Sequence, residues 1–359
     1  MPATSAFVYL TCQVGSEALC KKEIADSQPE WKFAFSRPGF LTFKLPENHK
    51  VSERFTLRST FARTYGWSIG NIKYSEPNEI DDLLQAHPEL AEAGHLHVWE
   101  RDKTVPGRNG FEPGQSKLAG EVGNLLAKKF SFAREPQINR RAQPEDLVLD
   151  VAMVEPDWWW FGWHYATTRS QQWPGGVPIF DFTPKISRAY YKLKEALLWA
   201  GIQIKPGDGC AEIGASPGGA VQLMLEMGGK VIAVDPAELD EELDDAEGLT
   251  YIRKRGREVR KREFRDVRWL VVDMSVAPKF ALDTLEDIVS NEQVDVSGIV
   301  VTLKLPDKAL AHELDQHRDR VRGWGFSMVK TRQLAFNRQE LCLIGVKDKF
   351  MLRARKKRS

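Results

Sequence analysis

The sequence predicts an α/β protein in which a Rossmann-like, mostly parallel sheet in the second half follows an α+β region in the first. From residue 187 onward, apolar runs of strand length alternate with amphipathic helical stretches, as in a parallel sheet covered by helices. Residues 207–235 are predicted to form a strand, a glycine-rich turn, a helix and a second strand that ends in Asp235. The first half contains shorter elements and no such turn.

The chain of 359 residues, 42% of them hydrophobic, is long enough for two domains with separate cores. The N-terminus lacks a basic segment followed by an apolar core, and no apolar run reaches the length of a membrane span. We therefore expect a cytoplasmic protein without membrane contact. Cys12, Cys20, Cys210 and Cys342 lie in apolar stretches without metal-ligand spacing, so we expect buried free thiols and no metal site. No coiled-coil or other pairing segment is evident, which favours a monomer without an obligate protein partner.

The first half reads as a recognition module, because it has neither a nucleotide loop nor a catalytic cluster. His95 and His97 alternate on a strand and are expected to be structural rather than metal ligands. The aromatic run at 158–163 could stack bases, but alternate rings of a strand face inward, so core packing is favoured for at least half of them. The predicted strands are 7–12, 31–35, 40–45, 61–72, 95–100, 147–154 and 158–165, and the predicted helices are 16–25, 80–93 and 116–130.

Residues 167–184 are rich in Pro, Gly and Gln and are expected to link the two halves. Basic runs at 253–265 and in the tail at 350–359 could contact phosphates or could be solvated surface, and the sequence leaves this open. Beyond the linker the predicted strands are 210–213, 231–234, 269–272, 298–303, 327–330 and 341–346, and the predicted helices are 187–200, one starting at 220, 284–291 and 309–323.

The glycine turn predicts a site for a nucleoside cofactor. Glycines let the backbone approach a ligand closely, and a carboxylate that ends the next strand can bind the hydroxyls of a ribose. The turn G-A-S-P-G-G is not a P-loop, because no Gly-Lys-Ser/Thr follows it. The predicted cofactor-binding residues are Glu212, Gly214, Ala215, Ser216, Pro217, Gly218, Gly219, Asp235 and Asp273.

The same turn also satisfies G-x-S-x-G, the nucleophile elbow of hydrolases, with Ser216 as the nucleophile. That interpretation requires a later histidine on a loop near the end of the sheet. The two histidines downstream, His312 and His317, both lie in a helical run, which disfavours a hydrolase.

Four charged residues mark a second site. Asp273 and Lys304 end buried strands, Lys192 lies on the helix before the cofactor strand, and Glu340 begins the last strand. If the last strand runs antiparallel to the others, all four meet beside the cofactor, at the carboxyl ends of the parallel strands. The alternative is two ordinary salt bridges at a sheet edge.

These motifs resemble the methyltransferases that use S-adenosylmethionine, and within them the FtsJ-like RNA ribose 2′-O-methyltransferases with their Lys–Asp–Lys–Glu tetrad. The matching pieces are S-R-A-x-x-K-L at 187–193, P-G-G at 217–219, D-M at 273–274, the strand-end Lys304 and R-Q-E at 338–340. The first half is similar to that of the bacterial large-subunit rRNA methyltransferase M family. The resemblance implies a class I methyltransferase sheet with an antiparallel last strand, preceded by a ferredoxin-like segment (1–72) and a THUMP RNA-binding domain (73–166), with the catalytic domain over 185–349.

The resemblance further implies S-adenosylmethionine as cofactor and a cytidine of 23S rRNA as substrate. Lys304 would be the base, oriented and tuned by Asp273 and Lys192, with Glu340 as an anchor, and burial together with Lys192 would lower the pKa of Lys304. The alternatives are the same chemistry on another RNA, or an RNA-binding ribosome assembly factor without turnover. Relatives often carry an acid for the adenine amino group where this chain has Lys254 and Arg255.

Overall fold

A computed structural model of the protein describes residues 5–73, 77–181, 183, 185–305 and 313–347. These residues form two compact units, and the chain divides between them after Asp181. The basic tail at 350–359, His312 and the start of the helix expected over 309–323 lie outside the described residues. Within the described ranges, no helix combines the length and the apolar character needed to cross a membrane.

The first unit contains one eight-stranded sheet in the order β2-β3-β1-β4-β8-β7-β5-β6. Strand β5 runs parallel to β6 and β7, and the other neighbouring pairs are antiparallel. Because β4 pairs with both β1 and β8, the two segments expected over 1–72 and 73–166 share this single sheet. The strands are β1 (Phe7–Cys12), β2 (Lys32–Arg37), β3 (Phe40–Lys44), β4 (Ala62–Lys73), β5 (His95–Glu100), β6 (Gln137–Ile138), β7 (Leu147–Glu155) and β8 (Trp158–Tyr165), and the helices are α1 (Glu17–Ser27), α2 (Pro77–Gln85) and α3 (Lys117–Lys129).

The side chains of the first unit follow the strand periodicity. Along β8, Trp159, Phe161 and Trp163 are buried, whereas Trp158 and Trp160 face the other side and stay half-buried. His95 and His97 are buried side chains with structural partners. The Nε2 atom of His95 lies 3.0 Å from an Asp146 carboxylate oxygen, and that of His97 lies 2.9 Å from the carbonyl oxygen of Arg140.

Two expectations for the first half need correction. The helix expected over 80–93 ends at Gln85, and a separate 3-10 turn covers Pro88–Glu92, because Pro88 lacks the N–H that a continuing helix needs. The segment 167–184 is not a free linker over most of its length. Residues 170–172 and 174–176 form buried 3-10 turns on the first unit, and Gln171 Nε2 donates to the carbonyl oxygen of Tyr65 at 3.1 Å.

The second unit contains a seven-stranded sheet in the order β11-β10-β9-β12-β13-β15-β14. All neighbouring strands are parallel except β15, which is antiparallel to β13 and β14. The predicted fold class, with its antiparallel last strand, is confirmed. The strands are β9 (Gly209–Ile213), β10 (Lys230–Val234), β11 (Leu249–Ile252), β12 (Trp269–Val272), β13 (Gly298–Lys304), β14 (Met328–Arg332) and β15 (Glu340–Val346), and the helices are α4 (Ala189–Ala200), α5 (Gly219–Glu226), α6 (Pro278–Val289) and α7 (Leu314–Gly323).

Helix α6 begins six residues earlier than the pattern predicted, at Pro278 rather than residue 284. Proline suits the first helical position, because that position needs no N–H donor and the ring fixes a helical φ. The buried residues of α6, including Ala281 and Leu285, cover the sheet beside β13, while the first turns of the helix reach the ligand end of the sheet.

Candidate active site

A cavity of about 890 Å³ opens at the carboxyl ends of β9, β10 and β12. This is the edge at which open α/β sheets bind ligands, and the volume is in the range that holds a cofactor. Four of the nine predicted cofactor-binding residues line it: Gly214, Ser216, Asp235 and Asp273. The cavity also reaches Gly256 and Met274.

The turn after β9 requires glycine at its first position. Gly214 has φ +86°, and a Cβ there would lie 2.5 Å from the carbonyl oxygen of Asp273. The turn therefore packs directly against the end of β12, which brings the cavity wall next to Asp273. A larger residue would push the two strand ends apart and change the shape of the cavity.

Asp235 is held at the cavity by two backbone donors. Its carboxylate accepts hydrogen bonds from the N–H groups of Ser216 at 3.1 Å and Ala237 at 2.8 Å. A carboxylate offers about four lone-pair positions, so two acceptor positions are left for hydroxyl groups of a ligand. The residues present thus fit a nucleoside cofactor whose ribose binds Asp235.

The other five predicted cofactor residues do not line this cavity. Gly218 faces Leu243, and a Cβ on it would lie 2.2 Å from that side chain. A Cβ on Gly219 would lie 2.3 Å from the hydroxyl of Ser187, so this glycine allows α5 to pack closely against the segment before α4. The remaining members of the set are Glu212, Ala215 and Pro217.

Glu212 is a buried carboxyl group on β9. Burial, with the nearby charge of Asp273, raises its pKa well above the usual value. It lines a second, small cavity of about 20 Å³ that also borders Lys192 and Asp273. Its Oε2 atom has no hydrogen-bond partner among the described residues.

The four predicted catalytic residues meet at one point of the sheet edge. Lys192 Nζ lies 2.5 Å from Asp273 Oδ2 and 3.1 Å from Glu340 Oε1. Lys304 Nζ lies 2.8 Å from Asp273 Oδ1 and 2.7 Å from Glu340 Oε2. Each carboxylate therefore bridges both lysines, and the four groups form a closed ring of alternating charge.

Strand direction explains this convergence. Asp273 follows β12, Lys304 ends β13 and Lys192 projects from α4. Because β15 is antiparallel to β13, its first residue, Glu340, pairs directly with Lys304, the last residue of β13. Asp273 also lines the large cavity, so the ring borders the cofactor site.

The structure corrects the expected direction of the Lys304 pKa. Burial does lower it, but the attraction of Asp273 and Glu340 outweighs burial, and the pKa of Lys304 is raised above its usual value of 10.5. For Asp273 and Glu340, burial raises the pKa, and the lysines reverse this and hold both carboxyl pKa values below their usual range. At neutral pH the ring therefore contains a protonated Lys304 and two carboxylates.

Helix α4 also holds the loop that leads to Glu340, a feature that the sequence analysis missed. The carboxylate of Glu195 accepts hydrogen bonds from the N–H groups of Ala335 at 2.9 Å and Phe336 at 3.0 Å. The guanidinium of Arg188 donates to the carbonyl oxygen of Phe336 at 2.7 Å. The signal available in the sequence was a glutamate, Glu195, one helical turn after Lys192 and followed by apolar residues.

Sequence reasoning also missed part of the cavity wall. Because α6 begins early, Phe280, Asp283 and Thr284 border the cavity. Arg255 and Arg257 line it as well, in the segment where an acid for the adenine amino group was sought. Lys254 is not among the lining residues.

The hydrolase alternative finds no support in this geometry. Ser216 Oγ donates to the carbonyl oxygen of Glu238 at 2.7 Å, not to an imidazole. His317 lies on α7, where its imidazole is 3.7 Å from the carboxylate of Glu313. His312 is outside the described residues.

The strand order, the antiparallel β15, the glycine turn and the acid after β10 define a Rossmann-like methyltransferase. Residues 186–318 match the family model of the FtsJ-like methyltransferases, and this part of the chain is an FtsJ-like methyltransferase domain. S-adenosylmethionine is therefore its cofactor, as the resemblance implied.

Similarity to characterised families extends beyond this domain. The chain is 28% identical to the ribosomal RNA large subunit methyltransferase M of Hahella chejuensis, with 95% of this chain and 90% of the relative covered. Identity to the protein of the same name from Idiomarina loihiensis is 23%, with 93% and 94% covered. Identity to that of Azotobacter vinelandii is 30%, with 64% and 63% covered. The chain is a relative of these proteins along most of its length.

Proposed function

We propose that this protein methylates the 2′-hydroxyl of a ribose in RNA, and that the substrate is a cytidine of 23S rRNA. The observation that carries the proposal is the ring of Lys192, Asp273, Lys304 and Glu340 at the edge of the cofactor cavity. The names of the relatives, ribosomal RNA large subunit methyltransferase M, support RNA as the substrate.

The catalytic roles follow from the chemistry of a ribose hydroxyl. When bound, S-adenosylmethionine supplies an electrophilic methyl group on a sulfonium. The hydroxyl is a weak acid, so a neutral amine must accept its proton at Nζ of Lys304. Since the raised pKa keeps Lys304 protonated at rest, the reactive form is a minority population that grows as the pH rises.

The remaining ring members position that amine. Asp273 and Glu340 each contact both lysines, so they fix Lys304 Nζ from two sides at 2.8 and 2.7 Å. Lys192 neutralises part of the carboxylate charge that would otherwise hold the proton on Lys304. Positioning of this kind accounts for a large share of the rate in transfer reactions.

We further propose that the segment 253–265 contributes phosphate contacts, with Arg255 and Arg257 at the cavity as the main candidates. Several other cations of this run are paired with carboxylates, which balance their charge: Arg253 with Glu238, Lys261 with Asp287, Arg262 with Glu263 and Arg265 with Asp266. The number of phosphate contacts inferred from the salt dependence of RNA binding should therefore be smaller than the number of basic residues in this segment.

The first unit is proposed to be the RNA-recognition part, with a ferredoxin-like segment over 1–72 and a THUMP-like segment over 73–166. A substrate in unassembled ribosomal RNA would place the reaction in the cytoplasm. We propose a monomer that needs no obligate protein partner.

The test is methyl transfer from radiolabelled S-adenosylmethionine to deproteinised 23S rRNA from a strain that lacks the gene, followed by mapping of the ribose methyl. Lys304→Ala should abolish transfer but keep cofactor affinity in calorimetry, because Lys304 does not line the cofactor cavity. Lys347→Ala is the matched control, since Lys347 is also ion-paired, with Asp295 at 3.2 Å, at the far end of β15. Normal transfer by Lys304→Ala would overturn the mechanism, and transfer to tRNA alone would overturn the substrate.

A further inference from the structure

One corner of the first unit's sheet combines aromatic rings with a guanidinium group. We call Phe35, Arg37, Trp158 and Trp160 the aromatic corner. The ring centroids of Phe35 and Trp160 are 5.0 Å apart and nearly parallel, at 23°, and Phe35 meets Trp158 edge-on at 5.3 Å. The guanidinium of Arg37 lies 4.9 Å from the Phe35 ring centroid and 5.4 Å from that of Trp158.

Core packing explains only half of this corner. Three strands separate β2 from β8 in the sheet order, so the sheet must curve strongly for Phe35 and Trp160 to meet. These two rings pack against the buried cluster that contains Tyr9 and Phe40. Trp158 and Arg37 lie outside that cluster, and the Arg37 side chain is 43% exposed. They form an outer layer of the corner, which takes no part in packing Phe35 and Trp160 against the buried cluster.

Hydrogen bonds hold both indole rings of the corner in place. Trp158 Nε1 donates to Asn71 Oδ1 at 2.7 Å, and Trp160 Nε1 donates to Ser68 Oγ at 2.7 Å. Both indole N–H groups are thus satisfied within the fold, so a ligand would contact the half-buried ring of Trp158 and not its N–H group. A ligand that stacks here has little side-chain freedom to freeze, which favours binding.

Charged groups of both signs lie around the corner. Lys73 is the cross-strand neighbour of Trp158. Arg101 lies 2.8 Å from the Glu155 carboxylate, and Arg37 shares the same carboxylate at 4.0 Å. Asp157 directly precedes Trp158 in the chain.

Aromatic rings held in place, a guanidinium group against them and a nearby ammonium group, here that of Lys73, are the chemistry that proteins use to bind unpaired nucleotides without sequence preference. We propose that the aromatic corner binds an unpaired segment of RNA, with a base stacked on Trp158 and Arg37 and phosphate next to Lys73. The inference rests on the proposed function, because RNA is the polymer that such a substrate supplies.

The first test measures the fluorescence anisotropy of a labelled 12-nucleotide oligouridylate, which has no stable secondary structure, with the full chain. Trp158→Ala and Arg37→Ala should each weaken binding by about 5- to 100-fold, the range for loss of one stacked base. Trp158→Phe should restore much of the affinity, because it keeps a stacking face. Melting temperatures show that each variant is folded.

Arg54→Ala is the matched control. Its side chain is also 43% exposed and ion-paired, with Glu145 at 3.0 Å, and its guanidinium lies 3.8 Å above the Tyr165 ring in the same unit. If Arg54→Ala weakens binding as much as Arg37→Ala, the effect is general charge and the proposal fails. Unchanged affinity in Trp158→Ala and Arg37→Ala also overturns it.

A second test uses the wild-type protein, photo-crosslinked to an oligouridylate that carries 5-iodouridine. An adduct on Trp158 or Phe35 supports the proposal, and adducts confined to other peptides overturn it. Methyl transfer separates this inference from the proposed function. If the wild-type protein methylates 23S rRNA and Trp158→Ala has the same KM for rRNA, RNA binding at the aromatic corner is refuted and the proposed function is supported. If oligouridylate binds at the aromatic corner but no RNA is methylated, the proposed function is refuted and RNA binding at the corner is supported.

Discussion

Glu340→Gln should shift the pH dependence of methyl transfer to lower pH. Lys304 Nζ lies 2.7 Å from Glu340 Oε2 and 2.8 Å from Asp273 Oδ1, and these two carboxylates raise its pKa above 10.5. An amine with a pKa of about 10.5 is neutral in only about 0.3% of molecules at pH 8, so the rate should climb with pH through the whole accessible range.

The size of the shift follows from the contact. An opposite charge at such a distance moves a pKa by about 1–3 units, or about 1.4–4 kcal/mol. Removing the charge of Glu340 lowers the pKa of Lys304, so the neutral fraction at pH 8 should grow about 10- to 240-fold, the upper figure being limited because the fraction approaches one. The maximal rate will fall if the amine is less well oriented, so the informative quantity is the position of the rising limb on the pH axis and not its height.

The assay is single-turnover methyl transfer to 23S rRNA between pH 6.5 and 10, at saturating cofactor and RNA. Glu286→Gln is the matched control, because Glu286 is also a carboxylate whose pKa is lowered, here by hydrogen bonds from Arg320 and Trp324 on α7 and just beyond it. Its profile should coincide with that of the wild-type protein. A rising limb that stays in place in Glu340→Gln, or moves to higher pH, would refute Lys304 as the base.

Three further outcomes are expected. Gly214→Ala should lower the melting temperature and weaken S-adenosylmethionine binding in calorimetry more than tenfold, because its Cβ would lie 2.5 Å from a carbonyl oxygen. In the control Gly207→Ala, the φ is also positive but a Cβ meets no atom within 4 Å, so the free energy of unfolding should fall only by the backbone strain of about 1–2 kcal/mol. Asp235→Asn should weaken cofactor binding by about 10- to 100-fold, because it loses hydrogen bonds to a charged group. Asp266→Asn, on the exposed surface, is the control, and equal cofactor affinities of the two variants would contradict the assignment of Asp235. The pKa values of Asp273 and Glu340 are lowered in the folded protein, so these carboxylates contribute their full stabilisation above their ordinary pKa values of 3.8 and 4.5 and lose it as the pH falls through the folded values. Urea titrations should therefore show that the free energy of unfolding falls less on acidification in Asp273→Asn than in the wild-type protein.

The architecture of the second unit was predictable because it depends on local pattern and on strand direction. Asp273 follows an apolar strand and Lys304 ends a mostly apolar one, and a charged residue at such a position emerges at the carboxyl edge of a parallel sheet. The position of Glu340 needed one more inference, the reversal of β15, which the resemblance supplied and the strand pairing shows.

The errors arise where several distant groups decide the outcome. The pKa of Lys304 depends on which carboxylates come within hydrogen-bond distance, and a sequence does not state that Glu340 would contact it at 2.7 Å. The buried segment at 170–176 looked like a linker because Pro, Gly and Gln favour turns, but its polar groups find partners on the sheet, such as Tyr65 for Gln171. The early start of α6 was marked by Pro278, which the helical period alone did not register.

Strand β4 joins the two expected segments of the first unit in one sheet. It hydrogen-bonds to β1 along one side and to β8 along the other, and the boundary between the two segments falls at its last residues. A fragment cut at that boundary would expose the bare edge of β8, with its row of tryptophans, and such an edge invites aggregation. Dissection of the first unit therefore calls for point substitutions and not for truncation at this boundary.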